Sequence, residues 1–152
     1  PNMSRHIRHQ LFFAHPPQTV WQYLTDSSLM EQWLMKNDFR LKIGHSFQFR
    51  ARSMPELDFD GIVHCEVLEI IPYEKLSYSW KLGPGSGKIT IDSVVTWELK
   101  EKENGTELSL LHTGFDHLES LVLYNLMDQG WLKNMHTIAE LIKTTKHAPN
   151  PS

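Results

Sequence analysis

His112 is the polar residue best placed to do chemistry. It shares a strand parity with Leu108 and Leu110, so its ring is expected to face an apolar interior. A buried neutral imidazole offers one donor and one acceptor, enough to orient a ligand or relay a proton. The competing reading is a structural histidine bonded to backbone at the strand's end. Tyr78 is a second, weaker candidate for moving protons. Glu69 lies just before Pro72, where a carboxylate more often bonds backbone or a nearby cation. Asp58, Asp60 and His64 fall at i, i+2 and i+6, which puts them on one face of an extended chain. A metal would want about three good ligands in closed geometry. No further partner is visible, so no metal site is expected. Cys65 sits inside a strand while His64 points to the opposite face, which leaves no thiol–imidazole pair. No G-x-S-x-G elbow occurs. The segment Gly83-Pro84-Gly85-Ser86-Gly87 lacks the following Lys-Ser/Thr and helix of a phosphate loop, and reads as a hairpin tip near a pocket entrance. No catalytic residue and no cofactor is assigned.

Bulky residues carry the alternative chemistry, which is binding. Trp33, Met35, Phe47, Phe49, Tyr78, Trp80, Trp97, His112, Phe115, Met127, Trp131 and Met135 all point inward by strand parity or helical phase. Aromatic and thioether side chains make a large, adaptable apolar lining with few polar anchors. Many of them would equally fill a packed core.

The elements that must position these residues follow from hydrophobic period. Arg5 to Ala14 reads as a strand with Ile7, Leu11 and Phe13 on one parity. Pro16-Pro17 ends it, and Pro17 suits the first turn of a helix carrying Val20, Trp21 and Leu24. Asp26 or Ser27 can cap a second short helix with Leu29, Met30, Trp33 and Leu34. From Asp38 the period becomes two. Phe39, Leu41 and Ile43 are expected to form a hairpin with Phe47, Phe49 and Ala51 across a Gly44-His45 turn. Phe59 to Ile71 is a long strand with a bulge expected near Val67-Leu68. Leu76, Tyr78 and Trp80 share a face of the next strand, as do Val95, Trp97 and Leu99 of the one after. Asn104-Gly105 is the strongest hairpin-turn signal. His117 to Thr144 is mostly helix, with a break expected near Asp128-Gly130. Trp131, Met135, Ile138 and Ile142 draw one apolar stripe along it. One strand, two short helices, six strands and a long helix make an α+β fold with the helices on one face of an antiparallel sheet.

At 152 residues the sequence reads as one domain over 3–146, with flexible ends at 1–2 and 147–152. The formal net charge of -3 gives no electrostatic reason to expect nucleic acid. No apolar run is long enough for a membrane helix, and no signal-peptide core opens the chain. One cysteine forms no internal disulfide, which suits a reducing cytoplasm.

Taken in order, several segments resemble a known family. They are Pro17 to Thr25, Glu31-Gln32-Trp33, Gly61, Val67 to Pro72, Lys75 to Trp80, Thr96 to Leu99, Gly105 to Leu108, His112 to Phe115 and Gly130-Trp131. Together they cover nearly the whole chain. The sequence resembles the START-like (SRPBCC, polyketide-cyclase and lipid-transfer) superfamily, in the branch related to activators of the heat-shock chaperone ATPase. The resemblance implies a helix-grip fold of six or seven strands, bent around the C-terminal helix and an internal pocket. It implies less about activity, since the superfamily contains carriers, cyclases and cochaperone domains. The eukaryotic activators also carry an N-terminal domain that this sequence does not include.

The function expected is a cytoplasmic binding protein. It would hold a small hydrophobic or aromatic ligand in a hollow between the last helix and the sheet, without covalent chemistry. The alternatives are a cyclase- or dehydratase-like enzyme using His112 or Tyr78, and a chaperone-associated interaction module. Exposed edge strands would permit a homodimer.

Overall fold

The computed structural model describes residues 5–115 and 121–144. The expected flexible ends, and the helix start expected at His117, lie outside those residues. The chain opens with β1 (Ile7–Phe13), then turns at Pro16 into α1 (Pro17–Thr25). Pro17 takes the first helical position, where a missing N–H breaks no hydrogen bond. Asp26 caps α2 (Ser27–Trp33), its carboxylate accepting from the Leu29 amide at 3.0 Å. A short β2 (Lys36–Asn37) follows, then β3 (Ser46–Arg50), a 3-10 turn (Pro55–Leu57), β4 (Ile62–Ile71), β5 (Lys75–Leu82), β6 (Ile91–Lys102) and β7 (Gly105–Thr113). The long α3 (Leu121–Thr144) closes the described chain.

All seven strands form one antiparallel sheet in the order β1-β7-β6-β5-β4-β3-β2. Strands β3 to β7 meander, and β1 pairs with β7 in the register Ile7↔His112 to Phe13↔Thr106. The two short helices carry the chain from one sheet edge to the other. The curled sheet and α3 make a helix-grip-like α+β fold. Every second residue of β5, β6 and β7 is buried, including Tyr78, Trp80, Val95, Trp97, Leu108, Leu110 and His112. The helix answers with Trp131, Met135, Ile138 and Ile142, all buried on one stripe. Each such side chain contributes about 1.5–3 kcal/mol by leaving water.

The bulge expected near Val67-Leu68 is present as a register shift between Val67 and Glu69. Three expectations are corrected. Residues 39–43 form no strand, although they alternate; the ladder partner of β3 is Lys36-Asn37 instead. Side chains hold the segment: Asn37 Oδ1 accepts from the Phe39 amide at 3.0 Å, and Asp38 Oδ1 from the Gln48 amide at 2.8 Å. Local Asx bonds of this kind compete with a ladder. Phe39 is buried while Leu41 and Ile43 stay exposed.

The helix does not break at Asp128-Gly130; α3 is continuous from Leu121 to Thr144. Trp131 anchors the turn that follows Gly130, and on the other side His9 Nε2 bonds both the Asp128 carboxylate (2.8 Å) and its backbone carbonyl (3.0 Å). Tertiary bonds of this kind override the weak helix preference of a single glycine.

The last correction concerns the β6–β7 hairpin. Its two turn residues are Glu103 (φ 50°) and Asn104 (φ 63°), with Lys102 paired to Gly105. Gly105 therefore belongs to the strand. A Cβ there would overlap the Phe13 carbonyl oxygen and the Phe12 ring, so close approach of β1 requires the glycine.

Two substitutions separate these roles. Glu103→Gly relieves a left-handed non-glycine residue and should leave urea stability within about 1 kcal/mol of wild type, on the favourable side. Gly105→Ala should cost about 1–3 kcal/mol by overpacking. The reverse ranking would place the turn at Asn104-Gly105 after all.

Candidate functional site

The residues read from the sequence as a lining do come together. Trp33, Phe47, Phe49, Tyr78, Trp80, Trp97, His112, Phe115, Trp131 and Met135 are all buried in one cluster, with Met35 and Met127 half-buried against it. Trp131 stands at the centre. Its ring centroid lies 5.0 Å from Trp80 and 5.6 Å from Trp97. Phe49 touches Trp80 at 5.4 Å, Trp33 meets Trp97 edge-on at 5.8 Å, and Phe115 meets His112 at 4.6 Å. Tilted and edge-to-face rings at these distances are in direct contact.

At the level of Trp131, rings from the helix and from the sheet therefore meet directly. Two depressions formed by described residues lie elsewhere. One of about 850 Å³ opens on the outer face of the sheet, among Arg8, Thr96, Glu98, Lys100 and Ser109. Another of about 210 Å³ lies beside the 83–89 loop, among Asp60, His64 and Lys88. No residue of α3 lines either one.

A chain of hydrogen bonds runs through the rings. Trp131 Nε1 donates to His112 Nδ1 at 3.0 Å. His112 Nε2 lies 2.8 Å from Ser93 Oγ, and Ser93 Oγ donates to the Trp80 carbonyl at 2.7 Å. An indole can only donate and a carbonyl can only accept, so the two ends fix every link between them. Nδ1 must hold a lone pair, Nε2 must carry the proton, and Ser93 passes its own hydrogen to the backbone. His112 is thus a neutral Nε2–H tautomer with both nitrogens occupied. Burial pulls its pKa down from 6.5 to about 3. A second proton would also point Nδ1–H at the Trp131 N–H.

This arrangement decides what His112 can do. With both ring nitrogens engaged, it ties the helix to the strands beneath. The backbone reaches it through Ser93, not directly. Tyr78 Oη accepts from Trp97 Nε1 at 3.0 Å, and burial raises its phenol above the ordinary range. Burial, reinforced by the Asp38 carboxylate, likewise raises the Cys65 thiol.

The remaining candidates occupy structural or solvated positions. Glu69 pairs with Lys75 at 3.1 Å. Asp58 is in a left-handed turn position ahead of β4, Asp60 Oδ1 accepts from the Ile62 amide at 3.1 Å, and His64 is exposed on the strand. Asp60 and His64 line the small depression beside the 83–89 loop, and Asp58 does not. Among the described residues no three His, Cys, Asp or Glu side chains are close enough to hold a metal ion. Arg8, Arg40, Arg50 and Arg52 are exposed.

Sequence reasoning missed Ser93, the link between His112 and the sheet. A lone serine on the parity of Val95 and Trp97 was the available signal. It also missed two ties to α3, from His9 of β1 to Asp128 and from the His6 carbonyl, just ahead of β1, to the Tyr124 hydroxyl at 2.8 Å. Nothing in sequence spacing pairs residues about 120 positions apart.

The histidine gives a pH dependence of known sign. It is neutral when folded, whereas in the unfolded chain it takes a proton below about pH 6.5. Its contribution is complete above that pH and is lost as pH falls toward about 3. The loss runs at about 1.4 kcal/mol per pH unit. The urea stability difference between wild type and His112→Gln should shrink by about 2 kcal/mol between pH 6.5 and pH 5. A difference that stays constant over this range would show that His112 ionises freely in the fold.

Comparison with known proteins places this architecture. No curated protein matches the sequence. Protein MLL2253 from Mesorhizobium loti is similar in structure with a TM-score of 0.81 and 33% identity, over 94% of this chain and 100% of that one. CalU16 from Micromonospora echinospora gives 0.70 and 22%, over 93% and 78%. The Aha1 dimer from Colwellia psychrerythraea gives 0.73 and 16%, over 94% and 99%. The last two likenesses show the fold alone. A family profile described as activator of Hsp90 ATPase homolog 1-like protein matches residues 14–143. The chain therefore belongs to the activator of Hsp90 ATPase homolog 1-like family, within the START-like fold.

Proposed function

We propose that the protein is a cytoplasmic binding protein for a small hydrophobic or aromatic molecule, which it holds among the rings between α3 and the sheet. The observation that carries this reading is the uneven attachment of α3. Four of its buried residues lie between Trp131 and Ile142, whereas Leu123 is the one buried residue of the first ten described. In that stretch Leu121, Val122 and Leu126 are 55%, 60% and 47% exposed. Tyr124 and Met127 are half-buried over the end of the ring cluster, and Tyr124 meets Phe115 at 5.7 Å. A segment with few buried contacts opens at low cost. A guest entering there would meet Phe115, His112 and Trp80 once the first two helical turns lift. The pinned histidine supports binding without covalent chemistry, and one buried, unactivated cysteine suits a reducing compartment.

The same exposed residues favour a second reading. Leu121, Val122 and Leu126 form an apolar surface of the kind that contacts proteins. In a family described by activation of Hsp90, a chaperone is the partner to test. A homodimer through a free sheet edge belongs with this reading.

The neutral fluorophore N-phenyl-1-naphthylamine separates the two. Binding predicts a saturable 1:1 fluorescence increase and a rise in melting temperature. Absence of both would contradict the ligand reading. The chaperone reading predicts that the protein accelerates ATP hydrolysis by purified Hsp90, and that Leu126→Glu abolishes the effect. An ATPase rate unmoved by saturating protein would remove it.

A further inference from the structure

We infer that the guest is a neutral, planar aromatic molecule bearing a hydrogen-bond acceptor, which Trp80 Nε1 recognises; this rests on the binding function proposed above. Trp80 is 4% exposed, and its buried indole N–H has no hydrogen-bond partner among the described residues. Buried donors are nearly always paired, and an orphan costs the full desolvation of the group. The neighbouring indoles show what is normal in this interior: Trp33 donates to the Tyr23 carbonyl at 2.7 Å, Trp97 to Tyr78 and Trp131 to His112.

A second spare donor is on the same face of β5. Tyr78 Oη already accepts from Trp97, and no acceptor for its own hydrogen is found among the described residues. Tyr78 and Trp80 are two apart on β5, so both side chains face the interior at a spacing of about 7 Å. Both spare groups are donors. They call for an acceptor, such as a ketone, ether or quinone oxygen.

The surroundings set the remaining chemistry. The buried polar residues described are Ser77, Ser93, Thr106 and His112, with no Lys, Arg, Asp or Glu among them. A carboxylate or ammonium carried into this interior would be unpaired, which is prohibitive. His112 and Ser93 have no donor left to offer a carboxylate. Trp80 lies between Phe49 at 5.4 Å and Trp131 at 5.0 Å, both tilted, so a flat ring can replace ring–ring contacts with contacts of the same kind.

The test compares 9-fluorenone with fluorene, two tricyclic molecules of one shape that differ by a carbonyl oxygen. Wild-type protein should bind the ketone about five- to tenfold more tightly, the range expected of one hydrogen bond. Trp80→Phe keeps a ring and should abolish the preference while still binding fluorene. Independently of that variant's folding, the Trp80 indole N–H resonance of wild type should move downfield with fluorenone and not with fluorene. Equal affinity for the two, with that resonance unmoved, overturns the inference and leaves an apolar binding site standing. Failure to bind either compound overturns the binding function as well.

Discussion

The fold depends on one hydrogen-bonded line, Trp131 to His112 to Ser93 to the Trp80 carbonyl, drawn through the middle of an apolar core. Each link crosses between elements: α3 to β7, β7 to β6, β6 to β5. Burying these polar groups is tolerable because every member is satisfied; loss of one would leave its neighbours unpaired in a low-dielectric interior. The line fixes the rotation and height of α3 over the sheet. Apolar packing by Met135, Ile138 and Ile142 then completes the contact.

That constraint explains why the molecule is tight at one end and loose at the other. The stripe from Trp131 onward is clamped by both packing and polar geometry. Before Trp131 the helix relies on Leu123, on half-buried Tyr124 and Met127, and on two ties, His9–Asp128 to β1 and Tyr124–His6 to the residue just ahead of it. These ties lie at the rim, where water competes for each bond, so they resist opening less than a buried bond would. The ring cluster is thus held by buried hydrogen bonds at the histidine and covered by fewer buried side chains over the first ten described residues of α3.

Much of this was legible in the sequence. The order of elements, the stripe on α3, the inward parity of His112 and the bulge in β4 all follow from periods of two and 3.6 and from turn residues. The failures share a cause. At 39–43 an alternating pattern was outvoted by Asn37 and Asp38 side chains that bond the backbone. At Asn104-Gly105 a turn signature coincided with a glycine needed for contact with β1. At Gly130 a helix breaker was overridden by the anchor beside it. In each case a contact distant in sequence, or a side-chain bond, decided between local preferences that were nearly balanced. The same limit hid the ligand question. Parity shows that twelve bulky side chains face inward, but not whether rings that face one another touch.

The central claim is that His112 is held as a neutral Nε2–H imidazole by the indole of α3. Long-range ¹H–¹⁵N correlation of the histidine side chains tests it directly. At pH 7, and still at pH 5, His112 should show a protonated Nε2 and a bare, hydrogen-bonded Nδ1. An imidazolium at pH 5, or a proton on Nδ1 at pH 7, would contradict it.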